Sequence, residues 1–180
     1  MNIEKTFIKD LVIISPSVFV DDRGTFFESY NQQKFREVGI NENFIQDNQS
    51  VSKKGVLRGL HYQKGIYSQA KLVRVIKGCV LDVAVDLRKN SDTYGQHFSI
   101  ELNDKNNLMF FIPTGFAHGF IALEDNTIFS YKCSALYNKE SEGGIIWNDT
   151  TLNIDWKFLN PLVSDKDKIL PNFSPELHKF

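Results

Sequence analysis

Only two cysteines, Cys79 and Cys133, occur in 180 residues, too few and too widely spaced for a disulfide framework or a zinc ribbon. Each sits in an apolar alternating stretch, so a buried, reduced thiol is expected of both. Excess charge of either sign is also missing: 21 Lys and Arg stand against 22 Asp and Glu, a net −1. That balance excludes holding nucleic acid or an anionic membrane by bulk electrostatics, while leaving room for a local basic cluster aimed at one phosphorylated small molecule. No apolar run approaches the roughly 20 residues of a membrane span. The opening segment carries acids and only a short apolar run, Leu11 to Ile14 closed by Ser15, so it reads as neither signal peptide nor anchor, and the cytoplasm is the expected location. Repeats, low-complexity linkers and composition shifts are absent too. Residues 1–180 therefore read as one domain, long enough to bury its own core.

What is abundant is strand-forming sequence. Fifteen Phe, six Tyr and many Val and Ile fall in short runs broken by Gly, Asn and Asp. Lys71 to Lys77 and Cys79 to Asp86 flank Gly78 and predict two strands joined by a tight turn. Further strands are predicted over Val12–Ile14, Gly24–Glu28, His97–Leu102, Leu108–Ile112, Phe116–Ala122 and Thr127–Cys133. A single segment, Asn31 to Val38, reads as helix, with Ser29 and Gln32 spaced as a capping box and Gly39 as its terminator. Many short strands with few and short helices predict a mainly β protein, a sandwich or barrel of the jelly-roll type. The segment from Trp156 onward predicts irregular chain laid over that barrel, its polar residues still available to a site.

Two stretches concentrate polar chemistry. Val56-Leu-Arg58-Gly-Leu-His61-Tyr-Gln63 leads into Gln69-Ala-Lys71-Leu-Val-Arg74. On an extended chain Arg58 and His61 point to opposite sides, but Gly59 permits a bulge that changes the phase; the alternative is a surface strand with a solvated Arg and an incidental His. In Ile112-Pro-Thr-Gly-Phe-Ala-His118-Gly-Phe120, Pro113 and Gly115 make a turn that delivers His118 onto a strand. By residue type alone, a histidine flanked by Phe116 and Phe120 is more often a satisfied core group than a catalyst.

Pro113-x-Gly115-x-x-His118 resembles the second half of the cupin metal motif. The first half requires two His separated by one residue, then Glu, whereas this chain offers His61-Tyr-Gln63. Two imidazoles without a carboxylate make a poor transition-metal site, so a metallo-cupin is disfavoured and a cofactor-free cupin-type barrel is expected. A closer resemblance runs from about Val18 to Asp167. Asp22-Arg-Gly-x-Phe-x-Glu28, Gln46-Asp-Asn48, Gly55-Val-Leu-Arg-Gly-Leu-His-Tyr-Gln63, Gln69-Ala-Lys-Leu-Val73, Asp82-Val-Ala-Val-Asp86, Ile112-Pro-x-Gly-Phe-Ala-His-Gly-Phe120, Tyr131-Lys132 and Trp147-Asn-Asp149 follow in one order. Together they resemble the dTDP-4-dehydrorhamnose 3,5-epimerase family, whose substrate is a dTDP-linked 4-keto-6-deoxy sugar.

The resemblance implies a role for each matching residue. A ketone at sugar C4 acidifies the hydrogens on C3 and C5, so epimerisation needs a base, an enolate stabiliser and an acid on the opposite face. His61 matches the base, Asp167 its carboxylate partner, Lys71 the cation beside the ketone oxygen and Tyr131 the acid. Asp82 and His118 match inner-barrel groups that shape the sugar pocket, and Arg58 a diphosphate grip. Arg23, Glu28, Gln46, Asn48, Tyr137, Glu142 and Lys166 match further nucleotide-sugar contacts; for Glu28, Glu142 and Lys166 an ordinary solvated charge is the plain alternative. Phe19, Arg23 and Phe26 match an N-terminal strand that pairs with a second subunit and lends residues to its site, which implies a homodimer. The chain departs from the family pattern at Thr114, Asp92, Lys157 and Val163. These departures leave open an epimerase acting at C3 or C5 alone, or on another nucleotide-sugar; a non-catalytic sugar-binding cupin is the rival of a different class.

Overall fold

The computed structural model describes residues 1–180. Its strands are β1 (Asn2–Lys5), β2 (Val12–Ser15), β3 (Phe19–Asp21), β4 (Gly24–Phe26), β5 (Gln46–Ser52), β6 (Val56–Gln63), β7 (Lys71–Lys77), β8 (Cys79–Asp86), β9 (His97–Asn103), β10 (Met109–Ile112), β11 (Phe116–Ala122), β12 (Thr127–Cys133), β13 (Glu142–Gly144) and β14 (Leu162–Val163). Two short helices, α1 (Gln32–Glu37) and α2 (Asp165–Lys168), complete it. One sheet runs β1-β2-β10-β7-β12-β5 and the other β13-β6-β11-β8-β9, with β14 added parallel to β6. The chain is mainly β, a cupin-type jelly roll of two facing sheets.

Strand alternation explains the layering. Val73, Val75, Phe110, Ile112 and Phe129 point inward from the first sheet and meet Val80, Ala84, Leu102, Phe116 and Phe120 from the second. The opposite faces of β6, β8 and β11 present Leu57, Leu60, Leu81, Val83, Val85 and Ile121 to a second cluster that Ile145, Leu152 and Trp156 cover from outside. Covered on both sides, β8 and β11 are buried along their whole length. On the far side of the first sheet, Phe35 and Ile40 pack on Ile14, Leu72, Met109 and Phe111.

The two strands predicted about Gly78 form with the expected bounds and turn, but they do not pair as a hairpin: β7 and β8 belong to different sheets. Gly78 is the corner where the chain crosses between them, at φ +84°, and a Cβ there would fall 2.5 Å from Thr127 Oγ1. A glycine-permitted turn signal does not say whether the next strand returns beside its predecessor or leaves for the facing sheet. The capping box is corrected as well. Asn31, not Ser29, caps α1, its side chain accepting from Lys34 N–H at 3.2 Å. Gly39 does end the helix: its N–H donates to Arg36 O and that of Ile40 to Phe35 O, a Schellman closure sealed by the apolar contact of Ile40 with Phe35. β5, with the polar sequence Gln46-Asp-Asn-Gln-Ser-Val-Ser52, was absent from the predicted strands because its inward face is polar, not apolar.

Candidate active site

Between the sheets opens a cavity of about 480 Å³ whose walls include Arg58, His61, Lys71, His118, Tyr131 and Asp167. The bulge expected at Gly59 is what brings Arg58 and His61 to it. Arg58 lies opposite Phe120 and His61 opposite His118, so three steps on β6 face two on β11 and the phase changes between them. Gly59, at φ +139°, crosses so closely over Gly119 that a Cβ would come 2.5 Å from its Cα.

Asp167 reaches His61 from outside the barrel. Leu162 and Val163 pair with Val56 and Leu57, Ser164 caps α2 by accepting from Asp167 N–H at 3.1 Å, and the Asp167 side chain turns inward. Its Oδ1 lies 2.7 Å from His61 Nε2 and its Oδ2 accepts from Gly59 N–H at 3.3 Å. The carboxylate is 5% exposed and the imidazole 30%. Burial works to raise the Asp167 pKa, but the hydrogen bond and charge of His61, with those from Gly59 and Ser164, outweigh it and hold the group below the ordinary carboxylate range. An ionised carboxylate only accepts, which assigns a proton to Nε2 and leaves Nδ1 as the basic nitrogen.

Lys71 and Tyr131 stand on the other sheet, on the wall facing His61. Lys71 is buried, its Nζ 6.0 Å from the Tyr131 ring centre. Desolvation pushes its pKa below the ordinary lysine value, with Cys133, Asp82 and Glu142 acting in the opposite direction. Burial pushes the Tyr131 phenol up. Both cysteines are free and buried; Cys133 lies opposite Lys71 across the strand pair. His118 Nε2 sits 2.9 and 3.0 Å from the two oxygens of Asp82. Asp82 is fully buried beside His118 and is not itself in the cavity wall.

A second hollow of about 380 Å³ shares Asn48, His61, Lys71 and Tyr131 with the first and extends it toward Gln46, Tyr137 and Glu142. Its wall is an ordered polar chain. Gln46 accepts from Tyr137 N–H at 2.9 Å and donates to Asn48 at 3.2 Å, and Asn48 donates toward Cys133 Sγ at 3.6 Å. Glu142 accepts from Tyr137 Oη at 3.0 Å and Lys166 Nζ at 2.6 Å. Burial acts to raise its pKa, and these two bonds bring it below the usual value. Glu142 and Lys166 are thus partners at the cleft rim. Gln63 accepts from Asn138 N–H, and no group of three or more His, Cys, Asp or Glu side chains is placed to hold a metal ion.

Four predicted residues are not brought to this cleft by their own chain. Phe19 and Phe26 are 65% and 71% exposed on the β3–β4 hairpin, Arg23 is tied to Asp21 at 2.6 Å, and Glu28 pairs with Lys34 at 2.9 Å. Conversely, Ser50 and Ser164 line the cavity without having been singled out. For Ser50 a signal existed, the alternation of Gln46, Asn48, Ser50 and Ser52 along one face of β5.

A carboxylate-backed imidazole, a buried ammonium and a phenol on facing walls define an acid–base enzyme that removes and returns protons beside a carbonyl. The dTDP-4-dehydrorhamnose 3,5-epimerase family model matches residues 5–175. A dTDP-4-dehydrorhamnose 3,5-epimerase of Shigella flexneri is 52% identical over 168 residues, covering 93% of each chain. The crystal structure of the same enzyme from Elizabethkingia anophelis superposes with a TM-score of 0.94 at 51% identity, over 99% of this chain and 98% of that one. A 3,5-epimerase from Legionella pneumophila, solved in complex with dTDP-4-keto-L-rhamnose, gives 0.89 at 44% identity, over 96% and 98%. The chain belongs to the dTDP-4-dehydrorhamnose 3,5-epimerase family.

Proposed function

We propose that this chain converts dTDP-4-dehydro-6-deoxy-D-glucose to dTDP-4-dehydro-L-rhamnose, with His61 as base, Lys71 as enolate stabiliser and Tyr131 as acid. The observation that carries this reading is the His61–Asp167 pair, closed at 2.7 Å, on the wall facing Tyr131 and Lys71. His61 Nδ1 takes the proton from the carbon next to the ketone. The electron pair moves into an enolate whose oxygen lies by Lys71, and a compact ammonium in a low-dielectric cavity stabilises that charge far more than it would in water. Asp167 stabilises the imidazolium without accepting its proton. Tyr131 then donates to the opposite face of the ring, which inverts the centre; His61 releases its proton to solvent and the Tyr131 phenolate takes one back from it, and the cycle is repeated at the second carbon. Proton transfer of this kind contributes roughly 10²- to 10⁴-fold in rate.

Arg58 is assigned to the diphosphate, and Gln46, Asn48, Tyr137, Glu142 and Lys166 to further contacts with the nucleotide-sugar, with His118 and Asp82 shaping the sugar pocket. For Phe19, Arg23, Phe26 and Glu28 the reading is that they serve a second copy. The hairpin holding three of them exposes Phe19, Val20 and Phe26, and the outer face of the first sheet exposes Val51 and Ile76 nearby in the fold, apolar surface that a homodimer would cover. The cytoplasm is the proposed compartment, in keeping with two free cysteines; no helix is long and apolar enough to cross a membrane.

Turnover in deuterium oxide tests the reaction. Label is expected at both C3 and C5 of the product; label at C3 alone overturns the double epimerisation, and no exchange into 4-keto nucleotide-sugars overturns catalysis itself.

A further inference from the structure

One buried side-chain oxygen in the whole chain has no hydrogen-bond partner, Ser50 Oγ, and Ser50 is in the wall of the reactive cavity. Folded proteins rarely leave such a group unpaired without a reason. Its neighbours on the same face of β5 are both engaged, Asn48 with Gln46 and Ser52 with Arg58 Nε at 3.4 Å. Ser50 itself lies opposite Phe129, whose ring stacks on Phe120 at 4.0 Å between centres. Two phenyl rings offer no acceptor, so the protein provides no partner at this position. The residue is half-buried, and rotation of its hydroxyl between staggered wells turns it from the wall toward the cavity.

Position along the strand says what the missing partner is. Asn48, opposite Tyr131, marks the reacting end, and Ser52, bonded to Arg58, marks the diphosphate end. Ser50 sits midway, about 7 Å from each by strand rise. Resting on the function proposed above, with C3 to C5 at His61 and Tyr131 and the diphosphate of C1 at Arg58, the ring positions between them are C2 and the ring oxygen. Of the two only C2 carries a hydroxyl, which can both donate to and accept from Ser50. We propose that Ser50 determines specificity by hydrogen bonding to the C2 hydroxyl of the sugar, which completes an otherwise unpaired group in the wall.

The test compares wild type with Ser50→Ala on dTDP-4-dehydro-6-deoxyglucose and on its 2-deoxy counterpart, following solvent deuterium incorporation. Wild type is expected to lose about tenfold in kcat/KM on the 2-deoxy substrate, the scale of one buried hydrogen bond. Ser50→Ala is expected to lose about tenfold on the normal substrate and to treat the two alike. If Ser50→Ala keeps the wild-type ratio between the substrates, or wild type shows no preference, the assignment is overturned. Exchange with neither substrate in wild type overturns the underlying function as well, which separates the two failures. Because the hydroxyl is unpaired in the free protein, the ligand-free Tm of Ser50→Ala should equal or exceed that of wild type, and dTDP, which lacks the sugar, should raise both equally. A lowered ligand-free Tm would make Ser50 a structural residue and overturn the proposal.

Discussion

Asp167 and Lys71 illustrate opposite outcomes of burying a charge. Asp167 meets three groups that favour its ionised form, His61, Gly59 and Ser164, so its carboxylate persists despite burial. In Asp167→Asn the charge behind His61 is gone and kcat is expected to fall by roughly 10²- to 10⁴-fold, measured by the same deuterium exchange. Its folded pKa is depressed, so its contribution to stability is present above the unfolded carboxylate pKa of about 4 and is lost as pH falls through the folded value. The Tm gap between wild type and Asp167→Asn should therefore narrow below about pH 4. Lys71 has its ammonium in a cavity with burial as the dominant influence. A base whose folded pKa lies below its unfolded value leaves the unfolded chain binding more protons, so its burden on stability lifts as pH rises toward 10.5. Lys71→Met should raise the Tm near neutral pH while lowering kcat by about 10²-fold or more. A drop in Tm would show that the ammonium is held by the fold instead of poised for a ligand. Tyr131→Phe should keep deuterium exchange through His61 yet lose inverted product, detected by NMR of the sugar ring.

At the scale of elements, the site depends on the place where β6 crosses β11. Gly59 has a positive φ and no room for a Cβ, its N–H holds Asp167, and its bulge aligns Arg58 with His61. Gly59→Ala is expected to destabilise the protein by about 3 kcal/mol, since both backbone strain and a clash with Gly119 are imposed. That corresponds to a Tm lowered by roughly 6–12 °C for a chain of this size. Calorimetry would read the loss, and an unchanged Tm would contradict the close crossing. Helix α1 shows how much of an element is legible beforehand. Gly39 was readable as its terminator because few residues adopt φ +90°. Its cap was misread because Ser29 and Asn31 have similar capping chemistry, and only the geometry of the first turn selects Asn31.

For the whole molecule, Phe19, Arg23 and Phe26, proposed to serve the cleft of a second copy, stand exposed on a hairpin paired only with itself. Val51→Asp with Phe26→Asp is expected to yield a monomer in sedimentation and to raise KM for the nucleotide-sugar by tenfold or more; a fully active monomer would show that each cleft is complete alone. Other properties could be read from the chain as written. Apolar alternation with glycine breaks specified most strands, the two-layer core and the buried thiols, because strand phase and burial are local consequences of residue order. The order of the motifs around Arg58, His61 and Lys71 carried the resemblance to the family to which the chain belongs. Tertiary structure alone decided that β7 and β8 separate into facing sheets, that polar β5 forms a wall of the cleft, that Glu142 holds Lys166 and Tyr137, and that Ser50 is left without a partner. It also brought Asp167 to His61 across 106 positions of sequence. Such meetings depend on how two sheets and a covering segment pack at once, and no local pattern of side chains encodes a distance between segments that only packing brings together.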